Sequence, residues 1–352
     1  MGTRFRVQSE PLNQTGGSWI VRLTEIHDCD NDESSSKGAY QTVFRENIHH
    51  NTTWMQNGFT IAGGNNGGNR LNQLRYPTGV YIDDDETVYI ADRENNRIVE
   101  CKCDSSDVRI AAGGNGQGIR NDQLNCPTSM IVFAKERNDL IICDENNKRL
   151  MRWSRQNNTS GQTIIANIFC SRLTMDNNGY FYVSDIDRQE VRRWKIGDTN
   201  GTLVAGGHGK GNRLDQLDFP MDTFVDEEHS VYVSDRNNNR VMKWMEGAKE
   251  GIVVAGGHGK GNGLTQLSHP YGVFVDHLGT VYVADSGNHR VMRWMKGGTQ
   301  ASVVVGGRGS GSQANQLNAP FGLSFDRQGN LYVVDLKNHR VQRFNIDGIR
   351  KR

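Results

Sequence analysis

An aspartate that closes a short apolar run recurs at Asp92, Asp144, Asp185, Asp235, Asp285 and Asp335, at spacings of 52, 41, 50, 50 and 50 residues. A fixed period of this size points to a propeller, a solenoid or an array. The unit from Gly251 to Gln300 selects among them. Its β-type runs Ile252–Ala255, Gly272–Val275, Val281–Ala284 and Arg290–Trp294 are separated by turn residues. Four short strands per unit match a propeller blade, which is a four-stranded antiparallel sheet. Six units therefore predict an all-β, six-bladed β-propeller.

The strand chemistry agrees. The first strand of each unit (Val80–Ile82, Thr223–Val225, Gly272–Val275, Leu323–Phe325) is almost continuously apolar, as expected for burial on both faces near the axis. Acidic turns such as Asp276-His277-Leu278-Gly279 close a hairpin to the second strand. The third strand carries a bulky residue at one register, namely Trp153, Trp194, Trp244, Trp294 and Phe344, with Cys101 in the first unit. At blade period such a stripe reads as inter-blade core rather than a ligand cage. The last unit supplies only three strands, ending at Arg340–Phe344, whereas Thr53–Ala62 looks like an orphan fourth. That segment is expected to complete the last blade as its outermost strand and so remove an open edge.

Outside the repeat, residues 1–51 form a polar segment, a linker or the tail of a neighbouring domain, with short strands expected at Trp19–Thr24 and Tyr40–Phe44. The propeller is assigned to 52–346 and a basic tail to 347–352. The formal net charge of +1 gives no global attraction to nucleic acid or an anionic membrane. No signal peptide or transmembrane run is visible, and the compartment stays open. The six cysteines show no zinc spacing and no recurring pair, so most are expected to be reduced packing residues.

Asn-His-Arg-Val occurs at Asn288–Val291 and Asn338–Val341, with near matches at Asn96-Arg97-Ile98 and Asn239-Arg240-Val241. With Val-Tyr-Val-(Ala/Ser)-Asp on the second strand, these motifs resemble the NHL repeat over 53–345. The resemblance implies a six-bladed propeller, in a family with protein-binding, RNA-binding and enzymatic members. Function must therefore be argued from the site.

The recurring Asp–Arg pair, as in Asp285 and Arg290, reads first as a structural brace. In the third blade Glu190 stands where Arg is expected, and Arg188 is the candidate substitute. The Gly-His-Gly-Lys-Gly runs at 207–211 and 257–261 lack the Gly-Lys-Ser/Thr and the following helix of a phosphate loop. Their glycines are expected to let a long connector cross from one blade's rim to the next blade's centre. The connectors carry Arg70, Arg120, Lys210, Arg213, Lys260 and Arg308 against Asp122 and Asp215, a modestly basic face on which His208 and His258 also lie. An amidating-lyase-like zinc site would require about three convergent ligands. The residues ending the connectors are Tyr76, Cys126, Phe169, Phe219, His269 and Ala319, with one histidine among them.

The repeat breaks most sharply between blades two and three, where Ile164–Cys170 replaces a full connector. Beside this notch, a Gly or Ser position (Gly79, Ser129, Gly272, Gly322) becomes Arg172 in blade three and Asp222 in blade four. Two readings stand, a polar ligand pocket at the channel mouth or a compensating salt bridge. A non-enzymatic module binding a protein or peptide through the connector face is the leading expectation, as a monomeric ring with neither cofactor nor metal. A metal-dependent lyase or hydrolase in the channel is second and single-stranded RNA binding third.

Overall fold

The computed structural model describes residues 4–7, 23–26, 48–102, 107–133, 139–155 and 159–348. Contacts divide the chain into two compact units, Met1–Lys37 and Gly38–Arg352. In the first, Arg4–Val7 and Leu23–Ile26 pair as antiparallel strands. The expected strand Trp19–Thr24 overlaps this pair only at its end, and Tyr40–Phe44 lies outside the described residues.

The second unit is a ring of six four-stranded antiparallel sheets. The inner strands are Pro77–Ile82, Pro127–Phe133, Cys170–Met175, Pro220–Val225, Pro270–Val275 and Pro320–Phe325. They begin earlier than the apolar runs alone suggest, at a proline in five blades. Each inner strand is an edge of its own sheet, where a residue without an N–H is tolerated. Each packs on its neighbours, and the last packs on the first to close the ring.

The core lies between the blades. Trp153, Trp194, Trp244, Trp294 and Phe344 are all 5 % exposed or less, as expected for inter-blade packing. One cluster joins Tyr182 and Val191 of blade three to Val233, Met242 and Trp244 of blade four. Phe59–Gly63 pairs with Arg340–Phe344 as the outer strand of the last blade. Trp54 reinforces this closure by donating its indole N–H to the Gly329 carbonyl at 2.9 Å. No helix among the described residues is long and apolar enough to cross a membrane.

The cysteines depart from expectation at one place. Cys143 and Cys170 are bonded to each other, while Cys101 and Cys126 are free. Cys170 occupies the first inner-strand position of blade three, a proline elsewhere, and faces blade two across the shortened connector. Sequence spacing hides such a pair because its partners belong to different blades.

Candidate functional site

The Asp–Arg pairs are braces, and they act on the connectors. In blade five, Arg290 Nε meets Asp285 Oδ2 at 2.7 Å. Its Nη1 donates to the Asn262 carbonyl at 2.9 Å, and its Nη2 to those of Gly263 and Gln266 at 3.0 and 3.3 Å. Asn288 Nδ2 spans the Gly261 carbonyl and Asp285, both at 2.8 Å. Arg97, Arg149, Arg240 and Arg340 repeat the ion pair at 2.7 to 2.8 Å. Burial pushes the Asp285 carboxyl above its ordinary value, and Asn288, the Ser268 N–H and Arg290 act against it. A buried carboxylate of this kind needs all of its partners. In blade three Arg188 does substitute, reaching Asp185 at 2.8 Å, but its side chain is 53 % exposed.

Glycine in the connectors serves packing. A Cβ on Gly211 or Gly261 would collide with the side chain of Gln216 or Gln266. Those glutamines donate to the carbonyls of His208 and His258 at 3.0 Å and fold the loop back on itself. The runs at 207–211 and 257–261 thus serve the fold of the connector.

The His or Asn before four of the five brace arginines joins neighbouring blades. His289 Nδ1 accepts the Ala319 N–H, and His339 Nδ1 accepts the Tyr76 N–H, both at 3.1 Å. Asn96 and Asn239 accept the N–H groups of Cys126 and His269 at 2.9 and 3.0 Å. This acceptor role, unseen in sequence, fixes the backbone at Tyr76, Cys126, Phe219, His269 and Ala319. These residues hold positive φ (48° to 65°) and donate their backbone N–H groups to the preceding blade. Lys148 has no acceptor to offer at this position. It pairs with Asp187 at 2.6 Å and lies over the Phe169 ring, where the shortened connector ends.

The side chains of Arg70, Arg120, His208, Lys210, Arg213, His258, Lys260 and Arg308 are exposed, distributed over five connectors rather than converging. Arg120 and Arg213 are neutralised by Asp122 and Asp215, each at 2.9 Å, and Lys210 by Asp218 at 3.4 Å. Arg70, Lys260 and Arg308 have no carboxylate partner among the described residues.

Arg172 and Asp222 do come together, as a buried ion pair at 3.2 Å with both side chains 8 % exposed. Arg172 Nη1 donates to the Thr78 carbonyl across the ring at 3.3 Å, and Asp222 Oδ2 accepts the Val273 N–H at 3.1 Å. Gly79 and Gly322 leave room for the guanidinium, which a Cβ on either would approach to 3.1 and 3.2 Å. The pair therefore forms a neck linking blades one, three, four, five and six. Beside it lies a channel cavity of about 80 Å³ lined by Tyr81, Thr174, Phe224, Phe274 and Ser324. That is well below the roughly 300 Å³ of ordinary ligand pockets. At the notch, Asn167 to Phe169 alone separate Gly161–Ala166 from the inner strand of blade three.

Fold and braces together define a six-bladed β-propeller whose blades are locked by Asp–Asn–Arg clusters. The NHL repeat profile matches residues 74–101 and 317–344, in the first and last blades. No curated protein sequence matches it. Among solved structures, a protein of unknown function from Bacteroides thetaiotaomicron is similar at 16 % identity and a TM-score of 0.67, covering 83 % of this chain and 76 % of its own. An auxiliary nutrient binding protein from the same organism reaches 14 % identity and 0.65, covering 84 % and 77 %. A gluconolactonase from Xanthomonas campestris reaches 12 % and 0.58, covering 86 % and 99 %. At such identities the likeness is one of fold.

Proposed function

We propose that the chain is a non-enzymatic binding module that recognises a protein or peptide through the connector face, with 52–346 as the working propeller. One observation carries this reading. Each Asp–Asn–Arg brace bonds four carbonyls of its connector and holds the loop in place, while the cationic side chains between them stay exposed. A preorganised loop loses little entropy on binding, which suits recognition. The channel offers less. Its neck is filled by Arg172 and Asp222, and among the described residues no three His, Cys, Asp or Glu side chains group as a metal site. The gluconolactonase-like fold keeps a channel hydrolase or lyase as the second reading.

A displayed random-peptide library selected on the protein tests the proposal. Selected peptides should bind poorly to a variant with Arg70, Arg120, Lys210, Arg213, Lys260 and Arg308 changed to serine. They should keep binding when Glu227 and Glu228, exposed on the opposite hairpin face, are changed instead. The reverse pattern would overturn the connector-face reading.

A further inference from the structure

The connector face is not uniform. On the connectors entering blades five, six and one, Lys260, Arg308 and Arg70 have no described carboxylate partner, and neither has Lys337 in the adjoining turn of blade six. These three connectors contain no Asp or Glu. The only acidic residue in the adjoining turns is Glu94, which Arg75 neutralises at 2.9 Å. Across blades two to four the connector cations are paired, although Arg236 in the blade-four turn has no described carboxylate partner and its guanidinium bonds to Asn237 at 2.9 Å. Besides the pairs of Arg120, Lys210 and Arg213, Lys148 meets Asp187 and Arg188 meets Asp185.

At the second inner-strand position the aromatic residues fall in blades five and six, within the first of these arcs. The second inner-strand position holds Thr78, Thr128 and Ser171 in blades one to three, and their hydroxyls bond to carbonyls of the next blade. In blades five and six it holds Tyr271 and Phe321, half-buried at the connector end of the channel with ring centroids 4.0 Å apart. In blade one Tyr76, 38 % exposed, stands edge-on to His339 at the end of its connector. Arg236 lies against Tyr271 from blade four.

We infer that the occupant of the connector face is an acidic peptide segment carrying an aromatic or large apolar side chain, seated across blades five, six and one. This rests on the connector-face reading above and names its partner class. Carboxylates of the peptide pair with Lys260, Arg308, Arg70 and Lys337, the cations that the protein leaves uncompensated. The apolar side chain covers the Tyr271–Phe321 shelf, where burial and ring contact add to the attraction. Single-stranded RNA fits less well. It requires a continuous basic groove with a stacking face for each successive base, whereas here the four cations are spread over three blades and the two shelf rings stack on each other.

Fluorescence anisotropy with a short labelled peptide of alternating glutamate and phenylalanine tests the inference, beside its lysine counterpart and an oligouridylate of equal charge. The glutamate peptide should bind and the lysine peptide should not. Changing Arg70, Lys260 and Arg308 to serine should weaken binding about tenfold, the scale of three exposed ion pairs. Changing Arg120, Lys210 and Arg213 removes the same formal charge and should cost less than about twofold. Phe321→Thr, which restores the residue type of blades one and two, should weaken binding without changing its salt dependence. Equal losses from the two triple variants, tighter binding of the oligouridylate, or no binding of the glutamate peptide would overturn the inference. If the glutamate peptide fails while library-selected peptides still map to the connectors, the partner class is wrong and the connector-face reading stands. If those peptides map elsewhere, both fail.

Discussion

Blades five, six and one and blades two, three and four are made from one repeat, yet they meet solvent differently. In the first group the connectors are full length, Arg70, Lys260 and Arg308 have no carboxylate partner among the described residues, and an aromatic shelf lies beside the channel. In the second, one connector is cut to a few residues, a disulfide joins Cys143 to Cys170, and the connector cations Arg120, Lys210 and Arg213 are matched by acids. The braces beneath are nearly the same. The contrast separates what the repeat specifies, a rigid backbone, from what individual blades add on top of it, which is where recognition chemistry can vary without cost to the fold.

Removing residues before Gly64 should produce the largest effect. It deletes the strand Phe59–Gly63 that closes the last blade and exposes an unpaired edge. Both halves of the ring should lose cooperative thermal unfolding, seen by circular dichroism, since no blade is then enclosed. Retention of a single sharp transition would show that closure is not needed.

A smaller effect should distinguish the halves. Arg290→Ala removes the buried partner of Asp285 and should destabilise by roughly 3–5 kcal/mol. Arg188→Ala, at the irregular blade three, removes a half-exposed partner of the buried Asp185 and should cost less than Arg290→Ala. Urea denaturation of both variants measures the difference, and similar losses would deny that the brace is weaker at the notch.

The smallest predicted effect concerns pH. Burial lowers the pKa of His289 and His339, which accept N–H groups through Nδ1 and so act in the neutral form. An unfolded imidazole protonates below about pH 6.5. The stabilisation these residues give is therefore present above that pH and lost as pH falls through the lowered folded value. Changing both to asparagine, the residue at this position in blades one and four, should flatten the fall in Tm between about pH 7 and about pH 5. An unchanged slope would place the acid sensitivity elsewhere.

The fold was legible because period, strand content and turn chemistry all agree, and the orphan strand before Gly64 ends in the same Ala-Gly-Gly as three of the other fourth strands. The Asp–Arg brace and the Arg188 substitution were readable for the same reason, since each lies within one blade. The acceptor role of His289, the Cys143–Cys170 bond and the Arg172–Asp222 neck join different blades. Their contacts depend on how the ring sets one blade against the next, which linear spacing does not contain. The connector charges fall between these cases. Their sum is readable, but the division into a neutralised and an uncompensated arc appears only once Asp122, Asp215 and Asp218 are seen beside their cations.

The central claim, that the uncompensated arc is the recognition surface, is tested most directly by photo-crosslinking a library-selected peptide and mapping the adducts by mass spectrometry. The account predicts adducts at Lys260, Tyr271, Arg308, Phe321 and Arg70. Adducts centred on Arg120, Lys148 and Arg213, or on Glu227 and Glu228 of the hairpin face, would contradict it.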